Sequence, residues 1–322
     1  MGRKALVVGI GEYKVNSMVS STNNAIAVAE VLARNGNGDP NFDVDKHTNV
    51  SSKGELMGLI HRFFEVKDEV ALFYFSGHGV LDMNSGFLVT PDCSKYDAGV
   101  SMKDLLDIVN ASGCLIKIVI LDCCNSGALG NISGSSQLST IGENVTILTS
   151  SHSDGVSRAT NGLGLFTTLL IDALNGGAAD IMGNITAAGV YSHMDKALSL
   201  HEQRPMFKTN VTRFTPLRTV KPQVDKTVLR KIVEYFSYPE EELQLDPSFE
   251  PENILDMMPN VKEPYACPKN TEILRNLQKY ARLGLLVPIG AEHMYHAAME
   301  SKSCKLTPIG QYYWQLADKG KI

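Results

Sequence analysis

The sequence predicts an α/β fold in which helices cover both faces of a mostly parallel sheet, followed by a smaller, mainly helical module. Three observations carry this. The first two hundred residues alternate apolar strand-like runs with stretches of helical period. Two of the runs, at 70–75 and 115–121, are almost continuously apolar, as central parallel strands buried on both faces must be. After about residue 215 the composition turns helix-rich and its charge becomes uneven.

Each element has its own signal. Lys4 to Ile10 reads as a buried strand. Asn23 to Arg34 carries Ala25, Ile26, Val28, Ala29, Val31 and Leu32 at helical spacing and stops at Asn35-Gly36. Phe42 to His47 is a short strand. Ser51 to Glu65 opens with a serine cap and a Glu55 in its first turn, and shows Leu56, Leu59, Ile60, Phe63 and Phe64 on one face. Val70 to Phe75 is a central strand, and Phe87 to Val89 is one arm of a hairpin. Ser101 to Asn110 is helical, Leu115 to Leu121 and Val145 to Thr149 are strands, Leu165 to Leu174 and Thr186 to Leu200 are helices, and Met206 to Val211 is a last strand. These elements define a domain over 1–214, a linker over 215–225 and a second domain over 226–322.

Composition bounds the function. At 322 residues with 43% apolar side chains the chain can bury two cores, which excludes disorder as its main state. A net charge of −5 argues against coating nucleic acid or an anionic membrane. No apolar run reaches the roughly 20 residues needed to span a bilayer, and the first ten residues lack the features of a signal peptide. Six cysteines are too few for a disulfide scaffold, so a reducing cytoplasm is expected.

In a sheet of this kind chemistry collects at the carboxyl ends of central strands. The strand ending at Phe75 runs into Ser76-Gly77-His78-Gly79, and the strand ending at Leu121 into Asp122-Cys123-Cys124-Asn125-Ser126-Gly127. If the two strands are neighbours, a histidine and a thiol lie about 5 Å apart in the pairing direction. Cys124 would then attack a carbonyl while His78 takes its proton. The backbone N–H groups of Gly79 and Cys124 are the natural oxyanion donors. Against this stands the ordinary reading of a free cysteine as a small buried apolar residue.

The motifs at 74–79 and 122–127 resemble the two active-site motifs of the caspase-like cysteine peptidases (family C14), nearest to the metacaspases and bacterial orthocaspases. The resemblance extends over about residues 1–214, through Gly9 to Tyr13, Thr149 to Ser151, Gly164 to Thr168 and Gln203 to Pro205. It implies a three-layer caspase-like sandwich with protein or peptide substrates. It also selects Cys124 over Cys123 as the nucleophile. Metacaspases carry an acid two residues before the nucleophile and cut after Arg or Lys. The same position here is Asp122, which implies a cationic residue in the pocket, lined also by Ser76; the alternative is that Asp122 caps its own turn. Two positions depart from the family. Asn24 replaces a second acid, and Asn125 replaces a histidine. No cofactor or metal ligand is implied, and no acidic cluster matches the calcium sites of relatives, so calcium dependence stays unassigned. No third catalytic residue can be named.

Between Lys117 and Arg158 there is no lysine or arginine, and the 125–144 stretch also lacks aspartate. An enzyme that cuts after basic residues could not process itself there, so an active single chain is expected. Arg213, Arg218, Lys221 and Lys226 are the better candidates for self-cleavage.

The second domain resembles a winged helix: a helix at 271–283, Gly284-Leu285-Leu286, two short strands at 293–296 and 304–307, then Leu306 to Gly310 entering a last helix with Tyr312, Tyr313 and Trp314 on its core face. Residues 226–261 hold three basic and eight acidic side chains, and 262–322 nine basic and five acidic. This near-neutral sum lacks the basic footprint of a DNA binder. A protein-docking or autoinhibitory role is therefore expected, with a regulatory partner or an activating protease. The alternative is a DNA-bound or partner-dependent regulator whose peptidase domain is latent. His293, His296, Cys267 and Cys304 read more simply as packing residues than as a metal site.

Overall fold

The computed structural model describes residues 2–14, 16–82, 85–94, 96–124, 126, 129, 131–132, 135–150, 162–198, 204–255 and 261–322. Asn125, Gly127, Ser151, Arg158 and Gln203, all used above, lie outside the described residues. The chain divides into two compact units, Met1–Lys221 and Pro222–Ile322.

The first unit is built on a six-stranded sheet. Its strands are β1 (Arg3–Gly9), β2 (Asp43–Thr48), β3 (Val70–Ser76), β7 (Ile116–Asp122), β10 (Val145–Thr149) and β12 (Met206–Asn210), in the spatial order β12-β10-β7-β3-β1-β2. All neighbours are parallel except the antiparallel edge pair β10–β12. Between β3 and β7 lie β4 (Gly79–Asp82), β5 (Ser85–Leu88) and β6 (Val100–Ser101), which form a small antiparallel sheet. The short strands β8 (Asn131–Ile132) and β9 (Ser135–Ser139) pair with each other, as do β11 (Asn184–Ile185) and β13 (Arg218–Thr219).

Period-two alternation sorts the sheet side chains into two cores. Leu6, Val8, Phe73, Phe75, Val119 and Leu121 pack under α2 (Lys53–Glu65) and α3 (Met102–Ala111). Ala5, Val7, Leu72, Tyr74, Ile118 and Ile120 pack under α1 (Val19–Ala33), α4 (Leu165–Asp172) and α5 (Ala187–Ala197). Helices on both sides of one sheet make the expected three layers. On α2 the predicted stripe is buried through Leu56, Leu59, Ile60 and Phe64, each worth roughly 1.5–3 kcal/mol relative to exposure. Ser52 rather than Ser51 caps the helix, accepting from Glu55 N, and the Glu55 carboxylate reaches back to Ser51 N at 2.9 Å.

Two boundaries differ from expectation. Helix α1 begins one turn early, at Val19, although Ser20-Ser21-Thr22 shows no apolar period. Close packing decides it: a Cβ on Gly9 of β1 would fall 2.5 Å from Ala25 Cβ and 2.6 Å from Ser21 O, so this turn lies directly on the sheet. The segment expected to be a linker from residue 215 is tied to the first unit as far as residue 221. Arg3 donates to Pro216 O at 2.7 Å, Leu217 is fully buried, and Arg218 donates to Arg34 O and Leu174 O.

The second unit holds α6 (Lys226–Arg230), α7 (Ile232–Tyr235), β14 (Glu242–Gln244), α8 (Pro268–Arg282), β15 (Leu286–Ile289), α9 (Met294–Met299), β16 (Ser303–Leu306) and α10 (Pro308–Asp318). Its sheet is antiparallel, in the order β14-β16-β15. The single helix expected over 227–236 is broken at Lys231. Residues 293–296, expected as a strand, instead open the helix α9, because Met294, Ala297 and Ala298 reach the core at a spacing of three and four. The partner of β16 is Leu286–Ile289 instead, with Pro288 tolerated on an edge strand.

The two motifs singled out in this unit meet. Gly284 (φ 69°) ends α8 with Leu285 N bonding Tyr280 O and Gly284 N bonding Ala281 O. Thr307 caps α10, donates its hydroxyl to Gly284 O at 2.7 Å and its N–H to Leu285 O at 3.0 Å. On α10, Trp314 Nε1 donates to Phe236 O at 2.7 Å, while Tyr312 is exposed rather than in the core. Cys304 is buried and Cys267 exposed. Among the described residues no group of three His, Cys, Asp or Glu side chains could hold a metal, and no helix is long and apolar enough to cross a membrane.

Candidate active site

The two motifs are brought together by the register of β3 on β7. Ser76 pairs with Asp122, and Gly77 N reaches Asp122 O at 3.4 Å. His78 and Cys124 therefore each stand two residues beyond one rung of a parallel pair. The approach continues past the strands: a Cβ on Gly79 would lie 2.0 Å from Cys124 O and 3.1 Å from Cys123 Sγ. Only glycine fits there. The site also adjoins the topological switch point, because the chain leaves β1 toward β2 on one side and returns to β3 on the other.

The two thiols differ in environment. Cys123 follows the alternation of Val119 and Leu121 into the core under α2 and α3 and is buried, whereas Cys124 is partly exposed. Burial pushes the Cys123 thiol well above its ordinary range, and the neighbouring Asp122 charge adds to this. A thiol held protonated and away from solvent is a poor nucleophile.

His78 is held at two points. Its Nε2 lies 2.6 Å from Asn16 O. A carbonyl can only accept, so Nε2 carries the hydrogen and the neutral ring presents its lone pair at Nδ1. Its backbone N–H donates to the Tyr13 hydroxyl at 2.9 Å, and the two rings lie 4.5 Å apart at 60°. Asn16, with φ 58°, supplies through its carbonyl the orienting contact for which the sequence named no residue. A backbone carbonyl leaves no residue-type signature.

The predicted oxyanion donors are both at this junction. Val89 N donates to His78 O, so the His78–Val89 rung is of the hydrogen-bonded kind and the next rung, Gly79–Leu88, is not. The Gly79 N–H therefore points away from β5.

Asp122 and Ser76 share the α1/α4 side of the sheet. Asp122 Oδ2 accepts from Asn24 Nδ2 at 3.0 Å and from Thr167 Oγ1 at 2.7 Å. With that hydroxyl committed to the carboxylate, the buried Tyr74 hydroxyl donates to Thr167 at 2.7 Å. Asn24 also donates to Ser76 Oγ at 3.2 Å and accepts from Gly164 N at 3.0 Å. Asp122 is thus gripped by α1 and α4. Asn24 and the Gly164 to Thr168 segment stand out in the sequence; Thr167 as the partner of Asp122, with Tyr74 behind it, does not, since 45 residues separate Thr167 from Asp122.

The sequence model of the caspase domain, peptidase family C14, matches residues 2–215. Among solved structures, the protein GSU0716 from Geobacter sulfurreducens is similar at 13% identity over 69% of this chain and all of its own, with a TM-score of 0.50. Caspase-1 from Spodoptera frugiperda is similar at 17% identity, over 68% of this chain and 90% of its own, with a TM-score of 0.48. A structure of pro-sf-caspase-1 gives 15%, 67%, 94% and 0.45 in the same order. No curated protein sequence matches the chain.

Proposed function

The chain belongs to the caspase-domain family of cysteine peptidases, and from that premise we propose that it is an endopeptidase that uses Cys124 and His78 to cut after arginine or lysine. In this reading the Cys124 sulfur attacks the peptide carbonyl. His78 Nδ1 takes the thiol proton while Nε2–H stays on Asn16 O, and the same proton goes to the departing amine. Water then hydrolyses the thioester. Gly79 N–H and Cys124 N–H receive the oxyanion of both steps.

Asp122 is the proposed determinant of a basic residue on the acyl side, with Ser76 beside it. The observation that carries the whole reading is the Ser76–Asp122 rung, which sets both motifs side by side at the sheet end. Support for the basic preference comes from the chemistry of Asp122, a carboxylate oriented at the end of β7 by the neutral donors Asn24 and Thr167.

The second unit, with three basic and eight acidic side chains over 226–261 and nine and five over 262–322, fits a winged-helix-like protein-docking or autoinhibitory module better than a DNA reader.

A fluorogenic panel with Arg, Lys or Asp as the cleaved residue, run with and without calcium, tests the activity. Turnover after Arg and Lys, absent in Cys124→Ala, is the expected result. Turnover after Asp alone would remove the argument from Asp122. Silence of the whole panel until a partner protein or protease is added would favour a latent, partner-dependent enzyme.

A further inference from the structure

We propose that Tyr13 is a positioning residue for His78, setting the imidazole by occupying a rung of the β4–β5 hairpin with its hydroxyl. The inference rests on the reading of His78 and Cys124 as the catalytic pair. In a regular antiparallel pair the His78–Val89 rung would exchange two backbone hydrogen bonds. Only one is made, Val89 N to His78 O at 2.9 Å. The other is replaced by a relay through the phenol: His78 N–H donates to Tyr13 Oη at 2.9 Å, and Tyr13 Oη donates to Val89 O at 3.4 Å. The hydroxyl therefore props the rung open on the side that carries the imidazole.

Its fit is close. A Cβ on Gly77 would come within 2.6 Å of the Tyr13 hydroxyl, so the residue before His78 must be glycine for the phenol to enter. The ring lies against the imidazole, and burial raises the phenol's pKa, so it stays neutral and can both accept and donate.

Tyr13 is itself held. Asn49, in the left-handed conformation at the end of β2 (φ 54°), accepts from Gly11 N at 2.9 Å, Glu12 N at 3.2 Å and Thr22 Oγ1 at 3.3 Å. Its own amide donates to Glu12 Oε1 at 2.8 Å. The loop rooted in this way also carries Asn16, whose carbonyl holds Nε2. One loop thus fixes the His78 main chain through Tyr13 and the ring through Asn16.

Without the hydroxyl the rung either closes directly, drawing His78 toward Val89, or leaves two polar groups unpaired; both displace the imidazole. Tyr13→Phe keeps the ring contact and removes only the relay. The expected result is a fall in kcat of about tenfold with KM within about twofold, because misplacement of a reacting group acts on the chemical step. The pH midpoint for alkylation of Cys124 by iodoacetamide, read by peptide mapping, should rise by roughly one pH unit as the imidazole moves off the thiol. Asn49→Gly keeps the left-handed backbone, removes the four side-chain bonds at the loop root, and should move both readouts the same way.

The outcomes separate cleanly. If His78→Ala changes the alkylation profile while Tyr13→Phe and Asn49→Gly match the wild type, the positioning role is wrong and the catalytic pair stands. If Cys124 in the wild type is no more reactive than the exposed Cys267 and ignores His78→Ala, the catalytic pair falls and the inference with it. Should Tyr13→Phe lose its fold by circular dichroism, the alkylation profile of Asn49→Gly decides alone.

Discussion

Asn24 uses both amide hydrogens at the end of the β3–β7 pair, one on Asp122 Oδ2 and one on Ser76 Oγ. A carboxylate at this position would face Asp122 with like charge. Two carboxylates so close cannot both ionise at ordinary cost, and one pKa of the pair rises above its unfolded value. The folded state of Asn24→Asp would then hold a proton that the unfolded chain releases near pH 4. Its stability deficit against the wild type, about 1–3 kcal/mol, should grow as pH rises from 4 through the raised pKa. Thermal melts of both proteins at pH 5 and pH 8 check this: the gap in melting temperature should be larger at pH 8, and an equal gap would contradict it. The pair Cys123-Cys124 shows what could and could not be read at this scale. Spacing alone leaves either thiol available; burial of Cys123 under α2 and α3 is what separates them.

At the scale of elements, the ends of β3 and β7 approach so closely that the glycine after His78 has no substitute. Alanine at position 79 would place its Cβ 2.0 Å from Cys124 O, so β4 or the turn of Cys124 must shift. Gly79→Ala should lose at least roughly 100-fold in kcat while its far-ultraviolet circular dichroism stays that of the wild type. A fully active Gly79→Ala would show that the turn tolerates displacement and that its geometry is not needed. The elements themselves were largely legible, since β1, β3 and β7 announce themselves as apolar runs and α2 as an amphipathic stripe. The first turn of α1 and the helix α9 were not. The former follows from backbone approach to Gly9, and the latter has too few residues for a period to show.

For the whole molecule, the question is where the chain can be cut. The 125–144 segment has no Lys, Arg or Asp. Of the four basic residues near the unit boundary, Arg218 is committed to two carbonyls and to Asn175, whereas Arg213, Lys221 and Lys226 are exposed. Intact mass after overnight incubation should therefore show either a single chain or cuts after 213, 221 or 226, none of them in Cys124→Ala. A fragment ending within 125–144 would overturn both the single-chain form and the basic preference.

The sequence by itself determined the α/β class, the division into two units and the two strand ends that carry histidine and cysteine. Those features rest on local periodicity and on short motifs, which a chain displays before it folds. Only the tertiary structure decided what holds them. The grip of Asn24 and Thr167 on Asp122, the Asn16 carbonyl on His78 and the Tyr13 hydroxyl in the β4–β5 ladder join groups 45 to 98 residues apart or use the main chain. Strand order chooses such partners, and no local pattern encodes it.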